Sequence, residues 1–338
     1  MPRAFRYALW GLLLIVPAAA VLLPLPWYAI GPGPAREVAP LIRFDGLERF
    51  DSGGRLVMTT IRYERLTPAK AVQVWLDDAW QSITEEELFG PDVDRDEEEA
   101  ISTAQMTQSQ IHATSVVLRE LTDYPDDHAP GALVDGTFPP CPADGVLFPG
   151  EIVTAIDDEP VGSSQEASDL IGAAEPGEPL AFDVVSGQAR REVQLTRERC
   201  IEGEARAFLG VSLVDPFPVE VEIESAEVGG PSAGLVFALG LYDLLTPGDL
   251  TGGATVAGTG SLGNDGTVFP IGGIRDKVLG GQAAGATLFL VPRENLGELQ
   301  GVDTGDMRVV AVGTFDEARD ALLEAGGADE GEAVPIPA

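Results

Sequence analysis

The chain has 338 residues, enough for two or three domains of ordinary size, each with a buried core. Its 55 acidic and 21 basic side chains give a formal net charge of −34 at pH 7. Such a charge repels nucleic-acid backbones and anionic lipid headgroups, so neither is a predicted partner. Two cysteines exclude a multi-cysteine zinc site, and we predict no metal and no cofactor.

The N-terminal segment is apolar and flanked by charge. No charged residue occurs between Arg6 and Arg36, an interval longer than the roughly 20 residues that cross a bilayer. Arginines precede the apolar run and Trp27-Tyr28 closes it, so the positive-inside rule predicts a single-pass anchor over residues 1–34 with a cytoplasmic N-terminus and an extracytoplasmic remainder. A cleaved signal peptide is the alternative, because residues 18–20 are alanines. We favour the retained anchor, since apolar residues continue beyond them.

Residues 35–124 form an extracytoplasmic region in which we identify no catalytic chemistry. Its pattern predicts a strand over residues 54–61, a helix over residues 68–83 and a longer helix over residues 100–121. An acidic run follows at residues 85–99, and its part from Asp92 to Glu99 has carboxylates at metal-ligand spacing in places. A solvated charged surface is the interpretation that we prefer.

Residues 125–200 contain short strands separated by Pro-Gly and acidic turns, with a helix predicted at about residues 164–174. The order of these pieces resembles a PDZ domain. The resemblance implies that Gly131, Ala132, Leu133 and Val134 bind the carboxy terminus of a peptide, which adds as an extra strand. A proline-rich insertion at residues 138–142 departs from a compact PDZ loop.

Two cysteines lie near the ends of this region. Cys141 is in a Pro/Gly-rich loop, and Cys200 follows a predicted strand. In an oxidising compartment the two could pair, and the sequence leaves a disulfide open.

The chemistry is concentrated in residues 205–327. Ser232 follows a glycine-rich turn and opens a predicted helix over residues 232–245, where unpaired N–H groups at the helix start can hold an oxyanion. We assign Gly230, Pro231 and Ala233 to this oxyanion turn. Lys277 is one of two lysines in the chain. Unlike arginine, a buried lysine can lose its proton and act as a base.

The serine motif also fits G-x-S-x-G, the nucleophile elbow of α/β-hydrolases. That class of enzyme needs a histidine after the serine in the chain. His112 and His128, the only histidines, both precede Ser232, and we interpret them as surface or packing residues. A Ser-Lys dyad needs only Lys277, with its pKa lowered by burial.

With the Gly-Gly-Pro-Ser-Ala-Gly turn and the Pro-Ile-Gly-Gly run before the lysine, residues 205–327 resemble the proteolytic domain of Lon proteases. The resemblance implies that Ser232 is the nucleophile and Lys277 its general base, and that Thr259 helps to hold the lysine. One position departs from it: bacterial Lon commonly has an acidic residue where this chain has Gly229. No G-x-x-x-x-G-K-[ST] phosphate loop occurs in the sequence, so we predict that no ATP is used.

The predicted fold is α+β, with an N-terminal transmembrane helix, a PDZ-like β-rich domain over residues 125–200 and a C-terminal α/β Lon-type proteolytic domain over residues 205–327. An acidic tail, residues 328–338, is predicted to be disordered. In this order the chain resembles the membrane-anchored, ATP-independent Lon-like proteases of Gram-positive bacteria. A homo-oligomer is an expectation from that resemblance.

The predicted function is that of an ATP-independent extracytoplasmic serine endopeptidase that cleaves peptides or unfolded proteins. The PDZ-like domain would bind or gate these substrates. A non-catalytic, membrane-tethered peptide-binding scaffold is the alternative. Retention of both Ser232 and Lys277 disfavours it, because a scaffold does not need the pair.

Overall fold

The apolar residues that close the predicted anchor fold as a β-strand. The computed structural model describes residues 21–77, 79–90, 95–225 and 228–329. Its first strand, β1 (Trp27–Pro32), buries Tyr28 and Ala29 and pairs on both sides with later strands. The prediction of an anchor was therefore wrong for residues 27–32, because their backbone pairs with β5 and β6 in a three-stranded sheet. Residues 1–20 lie outside the described part of the chain, and within that part no helix is long and apolar enough to span a membrane.

The region after β1 alternates short strands with three helices. Its strands are β2 (Arg36–Glu37), β3 (Ile42–Phe44), β4 (Arg55–Met58), β5 (Ile61–Arg65) and β6 (Gln81–Thr84). Its helices are α1 (Pro68–Leu76), α2 (Glu85–Phe89) and α3 (Arg95–Leu121). Threonines cap the first two helices: Thr67 accepts the Lys70 N–H, and Thr84 forms a capping box with Glu87. The first predicted helix is shorter than expected, because residues 81–84 pair with β1 instead.

The next region folds around one antiparallel sheet. Its elements are β7 (Ala132–Thr137), β8 (Ile152–Ile156), β9 (Glu159–Pro160), α4 (Ser164–Ala173), β10 (Pro179–Ser186), β11 (Ala189–Thr196) and β12 (Val211–Val214). The strand order is β11-β10-β8-β7-β12, and α4 covers a core that includes Leu147, Ile156 and Phe182. A disulfide joins Cys141 to Cys200. This sheet with its single helix is PDZ-like, as predicted.

The last region supplies a mostly parallel sheet and its helices. Its strands are β13 (Val221–Ile223), β14 (Gly248–Asp249), β15 (Thr255–Gly258), β16 (Ser261–Leu262), β17 (Val268–Phe269), β18 (Leu288–Pro292), β19 (Arg308–Val312) and β20 (Ala328–Asp329). Its helices are α5 (Gly234–Leu245), α6 (Ile274–Ala283) and α7 (Phe315–Glu324). Short 3-10 turns occur at Ala39–Leu41 and Arg293–Leu299.

The central sheet has the order β19-β18-β15-β4-β2, with only β2 antiparallel. Successive residues of β4 point to opposite faces: Leu56 and Met58 pack in the core formed with α3, α5 and α7, whereas Val57 packs in the core formed with α6. Helix α5 is buried at every position, because α3 covers the side that the sheet leaves open.

At three of the predicted domain boundaries, strands pair differently from the predicted division of the chain. Residues 35–124 are not a separate unit, since β2 and β4 complete the central sheet and β3 pairs with β13. Strand β12, expected in the proteolytic domain, pairs with β7 of the PDZ-like sheet. Residues 328–329 of the predicted tail form β20 against β14, while residues 330–338 lie outside the described part. The PDZ-like sheet is thus inserted into a fold whose two halves lie on either side of it in the sequence.

This arrangement predicts that residues 205–327 do not fold alone. Without β4 and α3, that segment would expose an edge of its sheet and the apolar surface of α5. We expect the isolated segment to show no cooperative thermal unfolding by circular dichroism, whereas residues 21–329 should unfold cooperatively. A sharp unfolding transition in the short segment would contradict the shared sheet.

Candidate active site

The loop that carries Ser232 is held on one side by α3. The Gly230 N–H donates to the Ser102 carbonyl at 2.9 Å, and the Ser109 hydroxyl donates to the Pro231 carbonyl at 3.0 Å. Gly230 has a φ of 81°, which a glycine adopts without strain. The turn therefore requires glycine at this position, and two hydrogen bonds to α3 fix the backbone just before Ser232.

The segment between β15 and β16 holds the other side of Ser232. The Ser232 carbonyl accepts hydrogen bonds from the Gly260 N–H and from the Thr259 hydroxyl, both at 2.9 Å. Helix α5 begins at Gly234, two residues later than predicted, with Ala233 as its N-cap. The serine thus lies in the turn before the helix rather than in its first turn.

Lys277 approaches the serine from α6. Gly273 caps this helix with a φ of 69°, and its carbonyl accepts the Lys277 N–H at 3.1 Å. The Lys277 Nζ lies 2.6 Å from the Ser232 Oγ and 3.3 Å from the Thr259 Oγ1. The structure therefore brings together all three residues that the sequence assigned to catalysis.

Lys277 is only 4% exposed, and burial lowers its pKa to about 8. The adjacent carboxylate of Asp276 pairs instead with Arg275, at 3.1 Å. A shift from 10.5 to about 8 costs the fold about 3 kcal/mol. At pH 7 it raises the neutral fraction of the amine from below about one in a thousand to about one in ten. A buried lysine with this shift and a serine beside it has the properties of a general base.

Two backbone N–H groups are available to an oxyanion. Among the described residues, the N–H groups of Ser232 and Ala233 have no hydrogen-bond partner. Gly230 and Pro231 cannot serve as the sequence predicted, because the Gly230 N–H is bonded to α3 and proline has no N–H. The turn places the donors at the serine and the residue after it.

The dyad opens into a cleft large enough for a peptide. A cavity of about 830 Å³ contains Ser232 and Lys277 and is bounded by β5, by α3 and by the loop before α6. A second cavity of about 650 Å³ shares lining residues with the first and continues along the polar face of α3. Together they form an open groove that extends from the dyad along α3.

A separate groove lies in the PDZ-like sheet, but not where the sequence placed it. Residues 131–134 include the start of β7, which pairs with β8 on one side and β12 on the other, so no edge remains there for an added strand. The open groove, of about 380 Å³, lies between α4 and β12 and includes the loop 206–210. In the described chain, the N–H groups of Leu209 and Gly210 have no partner. The sequence signal that could have identified this loop is a run of apolar residues that ends in a glycine, residues 207–210, directly before β12.

Residues 220–325 match the family of Lon protease (S16) C-terminal proteolytic domains. Lon protease 2 of Herpetosiphon aurantiacus is 41% identical over 106 residues, which cover 29% of this chain and 13% of that protein. The peroxisomal Lon protease homolog 2 of Homo sapiens is 33% identical over 125 residues, 36% of this chain and 14% of that protein. The chain thus spans about one seventh of these relatives. The prediction of an S16-type serine endopeptidase domain is confirmed for the segment that carries the dyad.

Solved PDZ domains are also similar to part of the chain. The PDZ domain of the SdrC-like protein from Listeria innocua is 25% identical and covers 25% of this chain and 92% of that chain, with a TM-score of 0.23. The corresponding domain from Listeria monocytogenes is 25% identical and covers 26% and 92%, with a TM-score of 0.24. The strand order and the covering helix remain the basis for the term PDZ-like.

The pKa of Lys277 predicts how activity depends on pH. The amine accepts a proton only when neutral, so kcat/KM for a short peptide should rise about tenfold per pH unit below pH 8 and level off above it. The folded-state pKa is below the unfolded value, so this group adds stability as pH rises from about 8 to 10.5, and the plateau should persist. A profile that is flat from pH 6 to pH 9 would contradict the assignment.

Thr259 can be tested by removing only its hydroxyl. Thr259→Val deletes the contacts with Lys277 Nζ and the Ser232 carbonyl, while Thr259→Ser retains a hydroxyl. We expect kcat to fall about 10- to 100-fold in the valine variant and less than about threefold in the serine variant. Thermal unfolding of both proteins provides the control. Equal activities at equal stability would show that the hydroxyl does not position the dyad.

Proposed function

We propose that the protein is an ATP-independent serine endopeptidase whose catalytic groups are Ser232 and Lys277. The observation that carries the proposal is the 2.6 Å contact between the Lys277 Nζ and the Ser232 Oγ, at a lysine buried without a carboxylate partner among the described residues. The match of residues 220–325 to S16 proteolytic domains supports the same chemistry.

Hydrolysis would run through an acyl-enzyme. The neutral Lys277 amine accepts the Ser232 proton as Oγ bonds to the peptide carbonyl carbon, and the oxyanion lies near the N–H groups of Ser232 and Ala233. When the intermediate collapses, the leaving amine takes the proton from the Lys277 ammonium. Water then attacks the ester and gives a proton to Lys277, which returns it to Ser232. No proton or charge remains unbalanced at the end of the cycle.

The substrates that fit this site are flexible polypeptides. The sequence contains no phosphate loop of the G-x-x-x-x-G-K-[ST] type, so ATP-driven unfolding is not part of the proposal. The open groove along α3 accepts a chain in extended form. Unfolded segments and released peptides meet this requirement without a motor.

The location belongs to the same proposal. The apolar run that ends before β1 would hold the protein in a membrane as a single-pass anchor with the dyad on the extracytoplasmic side. The disulfide between Cys141 and Cys200 supports an oxidising compartment. The groove between α4 and β12 would bind the ends of substrate or partner chains by strand addition.

The proposal is tested on the full chain in detergent with casein as substrate. Ser232→Ala and Lys277→Met should each lower hydrolysis by at least about 10³-fold, because each removes one half of the dyad. Lys70→Met is the matched control, since it replaces the only other lysine, which lies in α1 and pairs with Glu64 of β5. ATP with Mg²⁺ should leave the rate unchanged.

Two outcomes would overturn the proposal. Equal hydrolysis by the wild type and both dyad variants would show that Ser232 and Lys277 are not the catalytic groups. No hydrolysis by the wild type would favour the peptide-binding scaffold. The anchor is checked separately. The expressed full chain should remain in membrane pellets washed with carbonate, whereas a protein of residues 21–329 should not.

A further inference from the structure

Helix α3 makes three polar contacts with the surroundings of Ser232. Its Ser102 carbonyl and Ser109 hydroxyl bind the two residues before the serine, as described above. One turn further on, the His112 Nδ1 lies 2.7 Å from the Leu262 carbonyl in β16. Leu262 packs closely on the start of α5, because a Cβ built at Gly234 would lie 3.0 Å from the Leu262 Cβ. The helix therefore binds the turn before the nucleophile directly and also binds β16, which follows the segment that holds the other side of Ser232.

The same part of α3 contacts the PDZ-like sheet. Ile111 packs against Leu133 of β7 and Val214 of β12 in a small apolar cluster. The next residue, His112, places its Nε2 2.7 Å from the Asp135 Oδ1 of β7. At this distance a protonated ring and the carboxylate attract each other as an ion pair. One residue of α3 thus contacts both the serine-bearing fold and the inserted sheet.

Asp135 extends this path to the PDZ-like groove. Its second oxygen, Oδ2, accepts a hydrogen bond of 3.1 Å from the Ser212 hydroxyl. Ser212 lies on β12, the strand that borders the groove. A chain of three side chains, Ser212, Asp135 and His112, therefore joins the groove strand to the carbonyl of Leu262, a residue that packs against Gly234 at the start of α5.

The side chains of the path are buried, so the electrostatic interaction between them is stronger than it would be in water. The side chains of His112 and Asp135 are 15% and 9% exposed. Burial alone would lower the pKa of His112, but contact with Asp135 outweighs it and, with the Leu262 carbonyl and the charge of Asp265, raises that pKa. Asp135 on β7 and Asp265 in the turn after β16 are the charged groups that act on the ring. Both favour the imidazolium, which can donate from both nitrogens.

Strand β12 is the edge strand of the PDZ-like sheet and pairs irregularly with β7. Its pairing with β7 shifts register between Ser212 and Leu213, so the ladder is interrupted where the path begins. A peptide added to its other edge would pair along Val211–Val214 and change the twist of this strand. Such a change would act first on the Ser212 hydroxyl.

We propose that His112 is a positioning residue that, through Asp135 and Ser212, couples occupancy of the groove between α4 and β12 to the placement of Ser232. This proposal rests on the proposed peptidase activity for its rate measurements, although its structural readout does not. A ligand in the groove changes kcat for a short peptide that never enters that groove. KM for that peptide stays constant, because the residues of the catalytic cleft are unchanged.

The first test replaces the members of the path in the full chain. His112→Gln, which keeps hydrogen-bonding atoms but no charge, and Asp135→Asn should each lower kcat for a short fluorogenic peptide about fivefold or more at unchanged KM. The double variant should be no slower than the slower single variant, because both changes break one contact. His128→Gln is the matched control, since in the described part of the chain its ring hydrogen-bonds to the carbonyl of the next residue, Ala129, and to no residue of the path. The proposed coupling would be overturned if the losses of kcat in the two single variants added in the double variant, or if His128→Gln lowered kcat equally.

The second test fills the groove without a known ligand. Ser168 lies on the exposed face of α4 and lines the groove, so Ser168→Cys labelled with bimane places a bulky group there. Both native cysteines are in the disulfide and do not react. Labelling should change kcat at least about twofold in the otherwise native chain and leave it unchanged when Asp135→Asn is also present. An equal change of kcat on labelling with and without Asp135→Asn, or no change in either protein, would contradict the proposed coupling.

Hydrogen exchange separates this result from failure of the peptidase itself. The label should alter amide exchange in the segment 228–235 in the native background but not with Asp135→Asn. If the protein hydrolyses nothing and exchange still changes, the coupling stands and the proposed function fails. If hydrolysis is present and neither kcat nor exchange responds to the label, the coupling fails and the function stands.

Discussion

The contact between the Lys277 amine and the Ser232 hydroxyl is the interaction on which the rest of this structure depends. An ammonium group buried at 4% exposure, which pairs with no carboxylate among the described residues, destabilises the fold unless it gives up its proton. The surrounding core therefore has to be rigid and apolar enough to tolerate that cost. The parallel strands and α6 supply such a core, with Val57, Ala257 and Val278 fully enclosed around the start of the helix.

Rigidity at the serine comes from parts of the chain that are distant in sequence. Helix α3 precedes the PDZ-like sheet, yet it covers α5 and binds the turn before Ser232. Strand β4 comes earlier still and pairs with β15, directly before Thr259. The catalytic groups lie in the C-terminal third, but the walls of their cleft are largely N-terminal. Insertion of the PDZ-like sheet between these halves puts it in contact with the helix that supports the nucleophile.

The relation between sequence and structure differs from one residue to the next. Ser232 and Lys277 were predictable because each lies in a short glycine-rich motif with a local role, and because the histidine count removed the competing triad. Thr259 followed from the same family resemblance. The peptide groove was placed wrongly at residues 131–134, because a strand that looks accessible in sequence is central once β8 and β12 pair with it. Residues 27–32 were misread for a related reason, since an apolar run fits either a membrane span or a buried strand.

By itself the sequence determined the chemical groups, the lack of a phosphate loop and the presence of a PDZ-like segment, because these depend on residue type and on order along the chain. Only the tertiary structure decided which N–H groups remain for an oxyanion, which strand borders the groove and which histidine contacts both the serine-bearing fold and the inserted PDZ-like sheet. His112 looked like a packing residue because its partners, Leu262 and Asp135, lie on other elements. Burial, strand pairing and electrostatic contact are set by neighbours in space, and local sequence patterns carry no direct record of them.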